Sequence, residues 1–506
     1  MRPEELESYT WPPATEVLAA SVGLQASDVL RFDGNVPATP TRVARPQTIA
    51  RALAGINEYD RGRYATLREA IAHHHDVSAE QIVLGAGSDE LIVTLARAYA
   101  SGGTIATVPA FTYSMYRYAA IMAGATIVDD PRDADLVFVC RPNNPTGEMP
   151  DVPETSVLLV IDEAYAQYAG ETALDRVADG AVVLRTFSKA YGLAGARVGY
   201  AVCTEATARV LASRLPPLSV SALSAALALA ALSAPLDVAS QVAERDRLAD
   251  EFARRGLAPL PSRANFLFIP TDRGEELVAG LLPYGVMLRA YPGGVRVSVR
   301  DQIDDDVLLE ALDAYLAGVA PTGTTWWRRS RVTAESTVVI RVRLAGSGLV
   351  HVDTGLGIWD HFVSQLAFHG GLDLSLTAVG DLETGTHHTV EDLMRALGDA
   401  INDALGDRKG IARYGEATIP MDEAIARCVL DFSGRPVTQI TIDPDEGMVA
   451  HALESFAQQA KLTLHVRASG TNAHHVGEGA FKAVGRALRQ ALAPTGGEIA
   501  STKGSL

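Results

Sequence analysis

Residues 186–199 read TFSKAYGLAGARVG, and they follow directly on the apolar run AVVLR at 181–185. An apolar run of this length reads as a buried strand, and a Ser-Lys pair at its end places polar groups at the rim of a sheet. Lysine is scarce in the chain. Of 44 basic residues only five are lysines, at 189, 409, 461, 482 and 503, so Lys189 stands alone in the first 320 residues. Arginine serves the ordinary cationic roles, whereas lysine can lose its proton and act as an amine nucleophile. Ser188 and, eight residues after the lysine, Arg197 add a hydroxyl and a guanidinium. The stretch suits an imine-forming amine beside a phosphate.

The same alternation extends outward. QIVLGAG (81–87) precedes the helical pattern SDELIVTLARAYA (88–100), and TIATVP (104–109), LVFVC (136–140) and SVLLVID (156–162) are further short apolar runs. Continuous apolar strands between helices predict a parallel α/β sheet. Polar motifs again sit at the strand ends: Gly-rich GAGSDE (85–90) opens a helix and suits a phosphate, RPNNPTG (141–147) offers an amide held by proline, and Asp162 ends a buried strand. Asp162 reads either as a helix cap or as the carboxylate for a protonated pyridine nitrogen.

Length and composition bound the rest. At about 150 residues per domain, 506 residues make roughly three domains' worth of chain. The formal charge of −17 argues against a nucleic-acid partner. Cys140, Cys203 and Cys428 form neither a metal spacing nor a disulfide framework, and the first residues carry no cationic-then-apolar leader. These features predict a cytoplasmic protein. Leu215–Leu236 is uncharged, but prolines interrupt it, so it reads as a buried core helix rather than a membrane span. His73, His74 and His75 diverge by about 100° per step on a helix and read as a solvated helix end.

The segment AGVAPTGTTWWRRS (317–330) marks a boundary, giving domains at 1–320 and 327–506 with a linker at 321–326. Beyond it, strand-like STVVIRVRL and LDLSLTAVG mix with helical VEDLMRALGDAINDAL, which predicts an α+β unit. Nine of twelve histidines lie after residue 350. HHTVE at 387 and HHVGE at 474 stand 87 residues apart, each with an upstream histidine, His361 and His451. A His and the Glu of each unit share a helix face and can meet one ion, while the adjacent His cannot. The doubled pattern therefore predicts two metals bridged across units, with Mn, Fe, Co or Zn suited to imidazole and carboxylate ligands.

Taken in order, GSDE, PNNPTG, DEAY and RTFSKAYGLAGARVGY resemble the fold-type I, pyridoxal phosphate-dependent aminotransferases, and among them histidinol-phosphate aminotransferase, over residues 30 to 318. The resemblance implies that Lys189 is the Schiff-base lysine and proton shuttle and that Asp162 pairs with the pyridine nitrogen. It implies that Asn144 and Tyr165 bind the ring hydroxyl, and that Ala86, Ser88, Ser188 and Arg197 surround the phosphate, with Tyr59 reaching it in the partner subunit. Tyr113 stacks on the ring, the spacing leaving Phe111 open, and Arg289 and Arg296 hold the anionic substrate. Only Asn35 is left of an Asn-rich motif near the start.

Residues 326 to 506 resemble imidazoleglycerol-phosphate dehydratase through RVTAES, DTGLGIWDHF, GDLETGTHHTVED, PMDEA, SGRP, NAHHVGE and STKG. That resemblance implies an α+β domain with an internal repeat and two Mn ions held by His361, His387, His388, Glu391, His451, His474, His475 and Glu478. Glu391 and Glu478 are the candidate proton-moving carboxylates. Arg413, Arg435, Lys482, Ser501 and Lys503 would grip the substrate phosphate, and Glu335 the glycerol hydroxyls. Gly385 stands where an acidic partner for a metal-bound His is usual, and the segment Arg435–His451 reads as about a dozen residues short. His465 reads as a packed histidine.

Together the resemblances imply a bifunctional histidine-biosynthesis enzyme. It would dehydrate imidazole glycerol phosphate to imidazole acetol phosphate and then transaminate that ketone, with glutamate, to histidinol phosphate. Its partners would be these small molecules and copies of itself, as a dimer through the aminotransferase half and a larger assembly through the dehydratase half. The alternatives are an aminotransferase half acting on another aromatic or phosphorylated amino acid, or one half serving as a non-catalytic scaffold.

Overall fold

The computed structural model describes residues 11–38, 49, 52–60, 62, 64–321, 325–381, 385–445 and 447–501. The chain divides into two compact units, one built on Leu30–Leu309 and the other on Thr15–Val29 with the residues from Glu310 onward. By compactness the division falls inside the helix Gln302–Leu316. The short helix Thr15–Ser21 and the turn after it go with the second unit, where the Ser27 hydroxyl bonds that of Ser330 (2.8 Å) and Arg328 donates to the Asp28 carbonyl (2.8 Å).

The first unit is centred on a seven-stranded sheet. Its order is Ile82–Gly85, Gly199–Val202, Val182–Thr186, Leu158–Asp162, Leu136–Cys140, Thr104–Val108 and Thr126–Val128. Only Gly199–Val202 runs antiparallel to its neighbours. Leu136–Cys140 and Val182–Thr186 are buried at every position, as expected for a sheet covered on both faces. Arg185 is buried in the latter because it pairs with Glu163 at 2.6 Å. Register lines up the strand ends: Gly85 and Thr186 both oppose Gly199, Asp162 opposes Leu184, and Cys140 opposes Asp162. The motifs noted in sequence therefore leave the sheet at one rim. A separate antiparallel sheet of Arg289–Tyr291, Gly294–Ser298 and Phe266–Pro270 sets Arg289 directly across from Arg296.

Two expectations in this unit need correction. His73 and His74 are exposed at the helix end as expected, but His75 is half-buried. It shares a 2.8 Å hydrogen bond with the Tyr200 hydroxyl, and burial, assisted by the charge of Arg185, lowers its pKa to about 3. The apolar stretch 215–236 contains only the helix Ala222–Leu232, of which Ala228 and Ala231 alone are fully buried. Its small side chains pack one stripe and leave the rest half-covered.

The second unit is a duplication. Trp327–Val332, Ser336–Arg343, Asp373–Gly380 and Val350–Asp353 form one four-stranded sheet. Tyr414–Met421, Ala424–Asp431, Thr463–Ser469 and Val437–Asp443 form another with the same order and the same single parallel pair. In each repeat one helix joins the third strand to the fourth (Gly357–Gly370; Val449–Gln459) and a longer one follows (His387–Leu405; Ala473–Ala491). Ser336–Arg343 and Ala424–Asp431 alternate between buried and more exposed positions, the period-2 pattern of a sheet with one wet face. Both inner faces and all four helices share one core.

The helices cross between repeats at glycines. A Cβ on Gly398 would stand 2.4 Å from the Phe456 carbonyl oxygen, and one on Gly485 would stand 2.5 Å from that of Leu366. The obstacles are backbone, so a larger residue forces the helices apart. Gly398→Val should destabilise this unit by about 2 kcal/mol or more. Gly357→Ala, where an added Cβ meets nothing within 4 Å, should leave it unchanged. Urea titrations of the two variants check this, and equal midpoints for both would contradict the close crossing.

Candidate active sites

The sheet rim of the first unit opens into a pocket bounded by Ser88, Asp89, Tyr113, Asn144, Asp162 and Tyr165 and, at the end of the next strand, by Ser188, Lys189 and Arg197. The Lys189 amine lies 3.4 Å from the Gly34 carbonyl and 5.5 Å from the Tyr165 ring centroid. Burial, joined by the charges of Arg296 and Arg197, lowers its pKa from 10.5 to about 8. Asp162 is deeply buried, which raises its pKa to about 6 although the Tyr116 hydroxyl donates to it at 2.9 Å and the Ala164 N–H at 3.2 Å. Among the described residues no cation pairs with this carboxylate. A buried carboxylate without a salt-bridge partner suits a protonated pyridine nitrogen. Gly87, where a Cβ would press to 2.6 Å from Arg197 Nη2, keeps the start of helix Ser88–Tyr99 open beside that guanidinium. The residues fit a phosphorylated pyridine.

Other predicted residues fall in and around this pocket. Tyr165 Oη accepts from Asn35 Nδ2 (3.1 Å), and Asn144 Oδ1 accepts from Arg296 Nη1 (2.6 Å). Arg296 is buried and also donates to the Asp33 carbonyl (2.6 Å), while half-buried Arg289 lies 5.9 Å from the Tyr291 ring centroid. Tyr113 lines the pocket, whereas Phe111 is 40% exposed and packs edge-on to Phe268 and Tyr291. Ala86 is off the pocket wall, its N–H given to Glu90 Oε2 at 2.6 Å. Tyr59 is 78% exposed and does not line the pocket. Sequence reasoning passed over Asp89, which pairs with Arg197 (2.9 Å) and accepts from the Tyr113 hydroxyl (3.0 Å). It stood in the motif GSDE beside Ser88. Tyr116 was also missed, because the spacing in PAFTYSMY does not say which aromatic points inward.

In the second unit the ligand atoms of His361, His474 and Glu478 lie within 4.8 Å of one another, and so do those of His387, Glu391 and His451. Each group joins the upstream His of one repeat to the HHxxE helix of the other. His361 stacks on His474 (5.4 Å, 13°) and His387 on His451 (4.7 Å, 25°). The Nε2 atoms of His361 and His451 are buried and make no hydrogen bond among the described residues. Orphaned imidazole nitrogens facing a carboxylate fit a divalent cation. Burial pushes Glu478 up, but Lys482 (2.6 Å away) and the His361 imidazole (3.2 Å away) outweigh it and hold the carboxyl below its ordinary value. Glu391 pairs with Arg395 at 2.5 Å.

The second His of each unit turns away from these triads. His388 Nδ1 lies 3.3 Å from Asp381 and 3.7 Å from Glu335, and His475 Nδ1 lies 2.8 Å from Glu423. A carboxylate partner for His388 is thus present despite Gly385, supplied from the end of the preceding strand. The short segment before His451 closes through Asp445, whose carboxylate accepts from the Val449 and Ala450 N–H groups. Arg413 is held by Asp431 (2.6 and 2.9 Å) and donates to the carbonyl of Ala500, next to Ser501. Arg435 is exposed, and Lys503 lies outside the described residues. His465 is not packed: it points to the wet face of its sheet.

Comparison with known proteins agrees with this division. The family model for class I and II aminotransferases matches residues 20–314, and that for imidazoleglycerol-phosphate dehydratase matches residues 354–488. Imidazoleglycerol-phosphate dehydratase of Salinispora tropica is 46% identical over 198 residues, covering 35% of this chain and 98% of that protein. The Frankia casuarinae enzyme of the same name is 48% identical over 191 residues, covering 35% of this chain and 97% of that protein. The crystal structure of Sinorhizobium meliloti histidinol-phosphate aminotransferase in complex with pyridoxal-5'-phosphate matches with a TM-score of 0.55 and 25% identity, covering 63% of this chain and 98% of that one. A pocket built around Lys189 and Asp162, two crossed His-His-Glu groups and these matches lead to one conclusion: the chain belongs to the class I and II aminotransferases in its first part and to the imidazoleglycerol-phosphate dehydratases in its second.

Proposed function

We propose that the chain catalyses two consecutive steps of histidine biosynthesis: dehydration of imidazole glycerol phosphate to imidazole acetol phosphate, then transamination of that ketone with glutamate to histidinol phosphate. What carries the reading is the presence, on one chain, of the Lys189–Asp162 pocket and of two crossed His-His-Glu groups.

In the aminotransferase half, bound pyridoxal phosphate supplies an electron sink. Lys189, with its pKa lowered to about 8, keeps a share of neutral amine near neutral pH and moves the proton at the reacting carbon. Asp162 holds the proton on the ring nitrogen. Ser88, Ser188 and Arg197 take the phosphate, with Tyr59 contributed by the partner of a dimer. Tyr113 covers the ring face, Asn144 and Tyr165 face its hydroxyl, and Arg289 and Arg296 receive the anionic end of the substrate. In the dehydratase half, divalent cations, with manganese the best candidate, supply Lewis acidity toward the substrate imidazole. Glu391 and Glu478 each offer an oxygen to the cation. The other oxygen of Glu478 faces Lys482, which with Arg413, Arg435, Ser501 and Lys503 grips the phosphate. Glu335 serves the glycerol hydroxyls.

His388 and His475, turned outward with Nδ1 held by carboxylates, are placed to complete cation sites on other copies, which supports an assembly larger than a dimer through this half. The aminotransferase unit is taken as 1–320 and the dehydratase unit as 327–506. The three cysteines are buried free thiols and no described helix is long and apolar enough to cross a membrane, which supports a cytoplasmic setting.

The whole chain, given imidazole glycerol phosphate and glutamate, should yield histidinol phosphate and 2-oxoglutarate, read by mass spectrometry. Lys189→Ala should stop at imidazole acetol phosphate, and a chain that releases neither product would refute the reading. Elemental analysis should find metal reduced in His361→Ala and in His451→Ala, with the double variant losing more than either alone. Capture of pyridoxal phosphate by the apo-protein, followed by stopped-flow absorbance, should accelerate as the pH rises through about 8 and level off above it. Arg296→Gln should move that midpoint upward, because it removes a neighbouring positive charge from Lys189.

A further inference from the structure

Tyr116 closes the run PAFTYSMY that supplies the pocket aromatic, and it touches the group on which the cofactor ring depends. It sits in the helix Met115–Ala123 and is fully buried. Its ring stacks on Phe138 (4.8 Å between centroids, 8° between planes) and meets Tyr113 edge-on (5.7 Å, 90°). Packed on two sides, the phenol cannot swing away, and its hydroxyl donates to Asp162 Oδ2 at 2.9 Å. The Ala164 N–H holds the other carboxylate oxygen at 3.2 Å. Two donors on two different oxygens fix the plane of the carboxylate.

We infer that Tyr116 is a positioning residue for the cofactor ring, holding the Asp162 carboxylate ionised and fixed in rotation for the ring nitrogen. The inference rests on the pyridoxal phosphate reading of the pocket. The surroundings of Asp162 make this hydrogen bond matter. Burial opposes its charge, and Asp89 on the helix Ser88–Tyr99 and the adjoining Glu163 oppose it further. Lys189 is the nearby cation that favours the charge, and Cys140, at the end of the neighbouring strand, carries a thiol that burial keeps protonated. Burial also keeps the Tyr116 phenol protonated, so it remains a donor. A hydrogen bond from a neutral donor to a buried charged acceptor is among the stronger ones a protein makes.

The test uses two ligands on the full-length apo-protein: pyridoxal phosphate, and the analogue in which a C–H replaces the ring nitrogen. The analogue keeps the aldehyde, ring hydroxyl and phosphate but cannot engage Asp162 through a proton. Tyr116→Phe should weaken pyridoxal phosphate binding about tenfold and leave analogue binding within about twofold of wild type. In an Asp162→Ala background the same substitution should change neither affinity. Equal loss for both ligands would mean a merely structural role, and no loss for either would mean no role, so each overturns the inference. A wild-type chain that binds neither ligand overturns the cofactor reading and this inference together, which separates the two failures. Thermal unfolding of the apo-protein shows whether Tyr116→Phe folds. If it does not, Tyr116→Met, which also lacks the hydroxyl, carries the same expectations.

Discussion

A buried carboxylate with no salt-bridge partner is the constraint on which the first site turns. Asp162 ends a strand whose neighbours are buried throughout, so water cannot solvate it, and among the described residues no arginine or lysine pairs with it. Such a group is costly to keep ionised unless something cationic arrives. Hydrogen bonds from Tyr116 and Ala164 offset part of that cost, and the same burial depresses Lys189 on the adjoining strand end. One dry rim therefore yields a carboxylate that seeks a positive partner and an amine that gives up its proton readily. Their opposed shifts are a signature of a working site.

The second unit meets the same problem by duplication. His361 and His451 carry buried ring nitrogens without hydrogen-bond partners, and each faces a His and a Glu from the other repeat. That crossing exists because helices approach closely enough for backbone to touch glycine. Gly398 and Gly485 are separated by the same 87 residues as the two HHxxE units. The glycine that allows the crossing and the ligands that exploit it thus repeat as one module. Approximate twofold symmetry explains why each triad takes one ligand from one repeat and two from the other.

Much of this was legible in the linear chain, for identifiable reasons. Continuous apolar runs ending in Lys189, Asp162 and RPNNPTG announce buried strands delivering polar groups to a rim, and i,i+4 spacing puts His387 with Glu391 and His474 with Glu478. Less was legible where several side chains of one type compete. The run PAFTYSMY offers three aromatics, and only packing separates Tyr113 on the pocket wall, Tyr116 beneath Asp162 and Phe111 outside. His75 and His465 misled in opposite directions, the first drawn in by Tyr200 and the second left on a wet sheet face.

By itself, the order of residues determined the two fold classes, the internal repeat and the identity of the chemical groups, because hydrophobic period and local spacing are properties of neighbours along the chain. Tertiary structure alone decided which histidine faces which carboxylate, that Asp381 stands beside His388, and that Asp89 joins Arg197 to Tyr113. Those relations link residues on different elements. Their distances are set by how helices and strands pack, and no pattern along one segment encodes them.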